Sequence, residues 1–301
     1  MKIKNTNPIK RKLIQIAAFG FTNFHIGNFK NGSLYTGSWK KFCNPGLNCY
    51  SCPAASFACP IGALQAVSGS MKYDFSFYVV GFLLAVGVLL GRFVCGWLCP
   101  FGLIQELIHK IPSPKLKLWK GFRAIKYVIL VVFVILLPVM STNYMGMGKP
   151  AFCQFICPAG TLEGGIPLLS THPELQRTIG TLFSLKMTIL VLTLAGCILI
   201  YRFFCKALCP LGVIYGLLNK ISIYHLEVDT DKCVGCGKCT KVCKMDVDPV
   251  KSPNSVECIR CGACAVSCPT ESIHLCFGSA GKIVKANMKQ LEKGEYIYDE
   301  Q

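Results

Sequence analysis

Long apolar stretches alternate along the chain with shorter polar segments. Three stretches have the length and composition that a helix needs to cross a hydrocarbon layer of about 30 Å, at residues 75–94, 125–140 and 185–204. A fourth stretch, residues 13–29, is interrupted by Asn23, His25 and Asn28, which would also suit a helix lying along the membrane surface. We favour a span there, because four spans make basic and non-basic segments alternate. The pattern predicts an α-helical membrane protein with about four transmembrane helices.

Lysine and arginine are distributed unevenly between the segments that join these stretches. The N-terminus and the loop after the second stretch are rich in both, whereas residues 141–183 contain only Lys149 and Arg177. Cytoplasmic loops of membrane proteins carry an excess of Lys and Arg. We therefore predict a multi-pass protein of the cytoplasmic (inner) membrane with both termini in the cytoplasm.

The overall composition supports this interpretation. Of the 301 residues, 52% are hydrophobic and 16% are charged, which is more apolar than an ordinary soluble protein. A formal net charge of +17 would also suit a nucleic-acid-binding protein. Because much of that charge follows the topology pattern, we predict contact with membrane lipid and no nucleic-acid partner.

One cysteine motif occurs twice, each time where an apolar stretch ends. The segment Arg-Phe-Val-Cys-Gly-Trp-Leu-Cys-Pro-Phe-Gly at 92–102 recurs as Arg-Phe-Phe-Cys-Lys-Ala-Leu-Cys-Pro-Leu-Gly at 202–212. On the other predicted face, Cys-Pro-Ile-Gly at 59–62 matches Cys-Pro-Ala-Gly at 157–160. We interpret this as a duplicated helical hairpin. The membrane domain of residues 1–222 would then contain two parallel repeats, at about residues 13–111 and 123–221.

The duplicated motif brings four cysteines to one predicted face of the membrane: Cys95, Cys99, Cys205 and Cys209. A single pair of cysteines beside a span would more often be small packing residues. Duplication favours ligation instead, because two copies together supply the four thiolates that a [4Fe-4S] cluster takes. We predict a cluster shared between the two repeats.

Six more cysteines occupy the two loops of the opposite predicted face: Cys43, Cys49, Cys52, Cys59, Cys153 and Cys157. Six thiols exceed one four-thiolate set and fall short of two, so the sequence does not assign them individually. Disulfides are an equal alternative, because that face can be oxidising. The candidates for binding one or more further clusters are Cys49, Cys52, Cys59, Cys153 and Cys157.

Two runs of Cys-x2-Cys-x2-Cys-x3-Cys follow in a polar region, at residues 233–243 and 258–268. Paired Cys-x2-Cys motifs also hold zinc, but two complete runs fit the iron–sulfur pattern far better. This pattern resembles the bacterial two-cluster ferredoxins, over residues 224–277, and implies an α+β domain followed by a tail at 278–301. In such runs the fourth cysteine ligates the other run's cluster. The predicted ligands are Cys233, Cys236, Cys239 and Cys268 for one [4Fe-4S] cluster, and Cys258, Cys261, Cys264 and Cys243 for the second.

Membrane motifs and ferredoxin domain together, over about residues 75–275, resemble the NapH-like membrane quinol-dehydrogenase ferredoxin-type proteins and related regulators of nitrous oxide reduction. The resemblance implies a non-catalytic electron-transfer subunit that connects a cytoplasmic donor or the quinone pool with a partner oxidoreductase. The alternative is an iron–sulfur redox sensor or maturation protein. The polar groups that suggest a quinone site are His25, Asn23, His109 and Glu106, and for each an interfacial or packing role is favoured.

Overall fold

The computed structural model describes residues 2–3, 8–70, 76–141 and 148–278, and this part of the chain is mostly helical. The helices are Pro8–Thr22 (α1), Asn28–Asn31 (α2), Pro60–Gly69 (α3), Phe77–Leu90 (α4), Phe93–Trp97 (α5), Pro100–Ile108 (α6), Ile125–Val128 (α7), Leu137–Met140 (α8), Pro158–Gly160 (α9), Ile166–Thr171 (α10), Thr181–Leu199 (α11), Phe203–Ala207 (α12), Pro210–Leu218 (α13), Lys238–Val242 (α14) and Ala263–Ser267 (α15). Wider π-helical turns occupy Ile129–Leu136, Phe152–Ile156 and Thr161–Gly165, and 3-10 turns occupy Ser38–Lys41, Lys120–Ala124 and Pro173–Thr178. Apart from Gly278, the predicted tail lies outside the described residues.

Among the residues that the structure describes, two helices are long and apolar enough to cross a membrane. They are Gly121–Met140 and Thr181–Leu199, with mean hydropathies of 2.3 and 2.1. Only 22% and 17% of their apolar windows are buried, so most of their apolar side chains point away from the protein. A helix in the core of a soluble protein would bury that surface, whereas lipid accepts it. These helices coincide with the stretches predicted at 125–140 and 185–204.

The other two predicted stretches form shorter helices, and their boundaries need correction. Helix α4 has 14 residues, which is a length of about 21 Å, and it ends where Gly91 takes a φ of 54°. Helix α1 ends at Thr22, whose hydroxyl donates hydrogen bonds to the carbonyls of Ala18 and Phe19. The helices therefore end before residues 29 and 94, where hydropathy placed their ends.

Helix α1 packs against the first cysteine motif through polar contacts. Gln15 is buried and donates from Nε2 to the carbonyl of Gly96, at 2.8 Å. Arg11 and Lys12 both pair with Glu106 of α6, and the Arg11 Nη2 to Glu106 Oε2 distance is 2.6 Å. The N-terminal helix is thus held to α5 and α6 by an ionic network as well as by apolar packing.

The second half of the chain joins the same network. Glu106 is 5% exposed and also pairs with the fully buried Arg202, with 2.6 Å between Oε1 and Nη2. Tyr201 donates its hydroxyl to the same carboxylate oxygen at 2.8 Å. Burial by itself would raise the pKa of Glu106, but Arg202 and then Arg11 and Lys12 lower it to about 2. Glu106 is therefore an ionised structural anchor between the two copies of the motif.

A small antiparallel sheet forms the base of the C-terminal domain. Its strands are Lys2–Ile3 (β1), Tyr224–Val228 (β2) and Ile273–Phe277 (β3), in the order β1-β3-β2. Leu226 pairs with Leu275, and the opposite edge of β3 is covered by β1. The α+β character of this domain agrees with the prediction. The pairing of the N-terminal strand was not predicted, because it depends on a contact between the two ends of the chain.

The C-terminal domain is hydrogen-bonded to residues at the ends of the apolar helices. Arg260 is buried, and its guanidinium donates to the carbonyls of Leu90 and Asn219 at 2.9 and 2.8 Å. In return, Trp97 donates from its indole nitrogen to the carbonyl of Arg260, at 3.1 Å. The segment that carries the second cysteine run therefore lies directly against the first membrane motif.

Replacing Glu106 by alanine should lower the free energy of unfolding by about 3–5 kcal/mol, because Arg202 would stay buried without its carboxylate partner. Denaturant unfolding in detergent, followed by circular dichroism of the helices, measures this change. Glu174→Ala, at an exposed position, is the matched control and should change stability by less than about 0.5 kcal/mol. Equal effects of the two substitutions would show that the Glu106 network does not stabilise the fold.

Candidate metal centres

A cysteine followed by proline begins a helical segment four times in this structure. The four cysteines hold extended backbone angles, with φ between −66° and −78° and ψ between 112° and 126°, and the proline occupies the first helical turn. Proline suits that position because its φ is already helical and its missing N–H would have had no partner. Each cysteine is therefore held at the start of a helix by its local sequence; the four are Cys59, Cys99, Cys157 and Cys209.

The structure brings the four cysteines of the duplicated motif together in the interior. Cys95, Cys99, Cys205 and Cys209 are all buried. Burial raises the pKa of Cys99 to about 12, with further contributions from the charges of Cys205 and Cys95. Burial also raises the pKa of Cys209, and the same two neighbours add to the effect. Thiols gathered in a buried site need cations to become thiolates, and the irons of a cluster would supply them.

Each motif arginine donates into the other copy of the motif. Arg92 donates from Nη2 to the carbonyl of Cys205 at 3.2 Å, and Arg202 donates from Nη1 to the carbonyl of Cys95 at 2.6 Å. Both arginines are fully buried. This exchange fixes the two cysteine pairs relative to each other and places two cations beside the thiols.

The glycine of each Cys-Pro-x-Gly sequence leaves room for that arginine. A Cβ on Gly102 would lie 3.1 Å from the carbonyl oxygen of Cys95 and 3.2 Å from Nη2 of Arg202. A Cβ on Gly212 would lie 3.0 Å from Nη2 of Arg92. The spacing between cysteine and glycine in the motif thus has a steric cause.

A second group of cysteines lines a cavity of about 260 Å³ in the region between α3 and α11. Four of the six loop cysteines contribute to its wall: Cys49, Cys59, Cys153 and Cys157. Cys52 does not line it, and its Sγ donates instead to the carbonyl of Glu163 at 3.0 Å. Cys43 is buried elsewhere, where its backbone bridges to Ala58.

The assignment of Cys243 to the second ferredoxin-like cluster stays a prediction from the spacing, and the surroundings of the cysteines in the second run bear on it. Burial raises the pKa of Cys258 to about 11, and the charges of Cys261 and Cys243 add to the effect. Burial also raises the pKa of Cys264, again with contributions from Cys258, Cys261 and Cys243. Cys243 of the first run therefore lies among the cysteines of the second run.

The cysteines predicted to bind the other ferredoxin cluster include one that is exposed to solvent. Cys236 is exposed, and Cys233 adds to the effect of burial in raising the pKa of Cys239. Burial alone would raise the pKa of Cys268, but hydrogen bonds with Ser272 and Thr270 lower it to about 7. The Ser272 hydroxyl lies 3.2 Å from the Cys268 sulfur. The surroundings of Cys268 therefore favour the thiolate, which is the form that binds iron.

Comparison with known sequences finds 4Fe-4S binding domains in several of these segments. A 4Fe-4S binding domain family matches residues 75–118, 127–170 and 185–224, and two further 4Fe-4S binding domain families match residues 225–247 and 253–274. The chain therefore contains 4Fe-4S binding domains, and it is similar to ferredoxin-type proteins. No solved structure matches the chain.

Three relatives show how far the similarity extends. YccM of Escherichia coli (strain K12), named as a candidate electron transport protein, is 27% identical over 63% of this chain and 52% of its own length. An uncharacterised protein of Methanocaldococcus jannaschii is 29% identical over 64% of this chain and 74% of its own. NapH of Haemophilus influenzae, named as a ferredoxin-type protein, is 24% identical over 62% of each chain. The matched region thus spans about half of the first relative.

Two glutamines contact these cysteines, and the sequence analysis missed both. Gln105 donates from Nε2 to the sulfur of Cys205 at 3.1 Å, and Gln65 donates likewise to the sulfur of Cys153 at 3.0 Å. Both follow a Cys-Pro pair at the same spacing, Cys-Pro-x-Gly-x-x-Gln, which was available in the sequence. The Cys-x3-Cys-Pro spacing of Cys153 and Cys157 was also overlooked, although it repeats that of the duplicated motif.

The polar groups considered for quinone binding all have protein partners. Glu106 is held in the ionic network of α1 and α6, and His109 bonds from Nδ1 to the carbonyl of Cys197 at 3.1 Å. His25 stacks on Tyr35 with 3.8 Å between ring centroids, and Asn23 accepts a hydrogen bond from Asn48. These contacts agree with the packing role that was favoured for each.

Gly102→Ala should lower the free energy of unfolding of the protein by about 1–3 kcal/mol, because the new methyl group meets the buried guanidinium of Arg202. Gly81→Ala is the matched control. Gly81 is also helical, and a Cβ there meets nothing within 4 Å, so this substitution should be neutral or stabilising. Thermal unfolding of the two variants in detergent provides the comparison. A neutral Gly102→Ala would contradict the steric account.

Proposed function

We propose that this protein is a membrane-bound electron carrier. It would accept single electrons from a cytoplasmic donor protein or from quinol and pass them to a partner oxidoreductase. The observation that carries this proposal is the convergence of Cys95, Cys99, Cys205 and Cys209 beside the ferredoxin domain. A [4Fe-4S] cluster in that position supplies reversible one-electron chemistry. Arg92, Arg202 and Gln105 contact the motif cysteines and would affect the reduction potential of that cluster.

Direct contacts join the motif site to the second ferredoxin run. Cys243 and Cys261 pack against the same apolar cluster that contains Cys95, Cys99 and Cys209. Arg92, which donates to Cys205, also donates from Nη1 to the carbonyl of Val256 at 2.6 Å and to Glu257 at 2.9 Å. Electron transfer between two carriers requires short, fixed separations. Packing without an intervening solvent layer supports such a path from one site to the other.

The charges around the motif site favour its reduction. A cluster with four thiolate ligands becomes more negative when it takes up an electron, and nearby cations stabilise that state. Arg92 and Arg202 are both buried against the motif, and Gln105 directs an N–H to the sulfur of Cys205. We therefore expect a higher reduction potential at this site than the same four thiolates would give without the two arginines.

The proposed topology has four spans in two parallel repeats, with the ferredoxin domain and both termini in the cytoplasm. The reciprocal bonds of Arg92 and Arg202 support the repeat, because equivalent residues make equivalent contacts in both halves. Strand β1 pairs with β3, which supports placing the N-terminus and the ferredoxin domain on the same side of the membrane. Helices α1 and α4 are short for full spans, so they would require a locally thinner bilayer.

Replacing Cys95 and Cys205 together by serine should remove about four Fe per chain, one cluster's worth, and leave the ferredoxin clusters in place. Iron and sulfide analysis of anaerobically purified protein measures the loss. Cys197→Ala is the matched control, because Cys197 is buried beside the site but lies outside the motif, and its iron content should not change.

The same preparations test the function. Reconstituted wild-type protein should pass electrons from dithionite to a quinone or to an outer acceptor, and the double variant should lose this activity. An unchanged iron content in the double variant would refute the motif cluster. A full iron content in wild-type protein that passes no electrons would instead support a redox sensor.

A further inference from the structure

We propose that Cys49, Cys59, Cys153 and Cys157 bind a further [4Fe-4S] cluster, and that Cys43 and Cys52 take no part in it. The assignment resolves six loop cysteines into one four-thiolate set and two packing residues. It deepens the proposed electron-transfer function by giving the path a second membrane site. This cluster does not require the cluster at the Cys95 site, so an experiment can refute either proposal and leave the other standing.

Geometry selects these four thiols. All four line the cavity of about 260 Å³, together with Lys186, which is a cation at its edge. A Cβ on Gly160 would lie 3.4 Å from the sulfur of Cys49, so the segment that follows Cys157 reaches that cysteine. Four thiols around one cavity match the ligand number of a [4Fe-4S] cluster.

The arrangement repeats the motif site. Cys153 and Cys157 have the same Cys-x3-Cys-Pro spacing as Cys95 and Cys99, and Cys59 begins a helix before a proline as Cys157 does. Each site thus takes two thiols from one half of the chain and two from the other. In the first half, Cys49 supplies the thiol that a regular Cys-x3-Cys spacing would have placed at Ala55.

A buried amide points at this second site independently of the cysteines. Gln65 is fully buried and donates from Nε2 to the sulfur of Cys153 at 3.0 Å. Its Oε1 accepts the backbone N–H of Phe152 at 2.9 Å, and Nε2 also donates to the carbonyl of Ile61 at 3.2 Å, so the amide is fixed with one N–H toward the sulfur. Gln105 makes the equivalent bond to Cys205 at the motif site. Such donors hold a ligating sulfur in place and raise the potential of the cluster that it binds.

The two excluded cysteines have other roles. Cys52 packs with Ala54 and Ala55 in a separate apolar cluster, and its thiol donates to the carbonyl of Glu163. Cys43 is buried beside Ala58 and does not line the cavity. Both cysteines therefore lie outside the set of thiols that lines the cavity.

The test uses the full chain, purified anaerobically. Replacing Cys153 and Cys157 together by serine should remove about four Fe per chain and leave the electron paramagnetic resonance of the motif and ferredoxin clusters unchanged. Cys43→Ser combined with Cys52→Ser is the matched control and should retain all the iron. An unchanged iron content in the first variant would overturn the proposal. So would the loss of about four Fe in the control, or a disulfide between any two of the four proposed ligands in the anaerobic native protein.

A second variant keeps the proposal testable if the double substitution does not fold. Gln65→Leu should retain the full iron content and lower the midpoint potential of one cluster, because the reduced state loses a hydrogen bond to sulfur. Gln105→Leu should lower the potential of a different cluster. If Gln65→Leu shifts no potential while Gln105→Leu does, the second membrane site holds no cluster and the motif site stands. If the Cys95/Cys205 variant alone keeps its iron, the proposed motif cluster fails and this one stands.

Discussion

The burial of two arginines beside the cysteine pairs is the constraint on which the rest of the structure depends. A guanidinium without water needs a carboxylate and acceptors for its remaining N–H groups. Arg92 bonds with Glu257 and Cys205 but keeps a buried Nε without a partner among the described residues, and Arg202 bonds with Glu106 and Cys95. The bonds of these two side chains join one half of the membrane domain to the other. Through Glu106 and Glu257 they also attach the N-terminal helix and the ferredoxin domain.

The same contacts explain why the motif includes more than its cysteines. The cysteine supplies a metal-binding type of side chain, the proline occupies the first helical turn, and the glycine leaves space for the opposite arginine. The glutamine two turns along α3 and α6 then directs an N–H to a sulfur of the other half. The two membrane sites share this arrangement, but only the motif site has two buried arginines. We infer that similar local sequences create two sites of different charge.

Hydropathy located the apolar helices better than it located their ends. The helices Gly121–Met140 and Thr181–Leu199 match the predicted stretches, because a long run of apolar residues is a property of the local sequence. The stretch at 75–94 was extended too far, since apolar character continues past Gly91 although the backbone turns there. The stretch at 13–29 passed over the end of α1 at Thr22 for the same reason. Side-chain hydrophobicity does not register a change in backbone direction.

The sequence by itself determined the kind of chemistry, because cysteine spacing, Cys-Pro helix starts and the duplicated motif are local patterns. It also indicated that Cys243 would join the second ferredoxin run. The sequence could not separate candidate ligands from packing residues among the six loop cysteines. That distinction depends on which thiols line one cavity after the segments around 49–59 and 153–157 have folded together. The pairing of β1 with β3 and the exchange between Arg92 and Arg202 likewise required the tertiary structure. Those contacts join residues far apart in the chain, and only packing decides them.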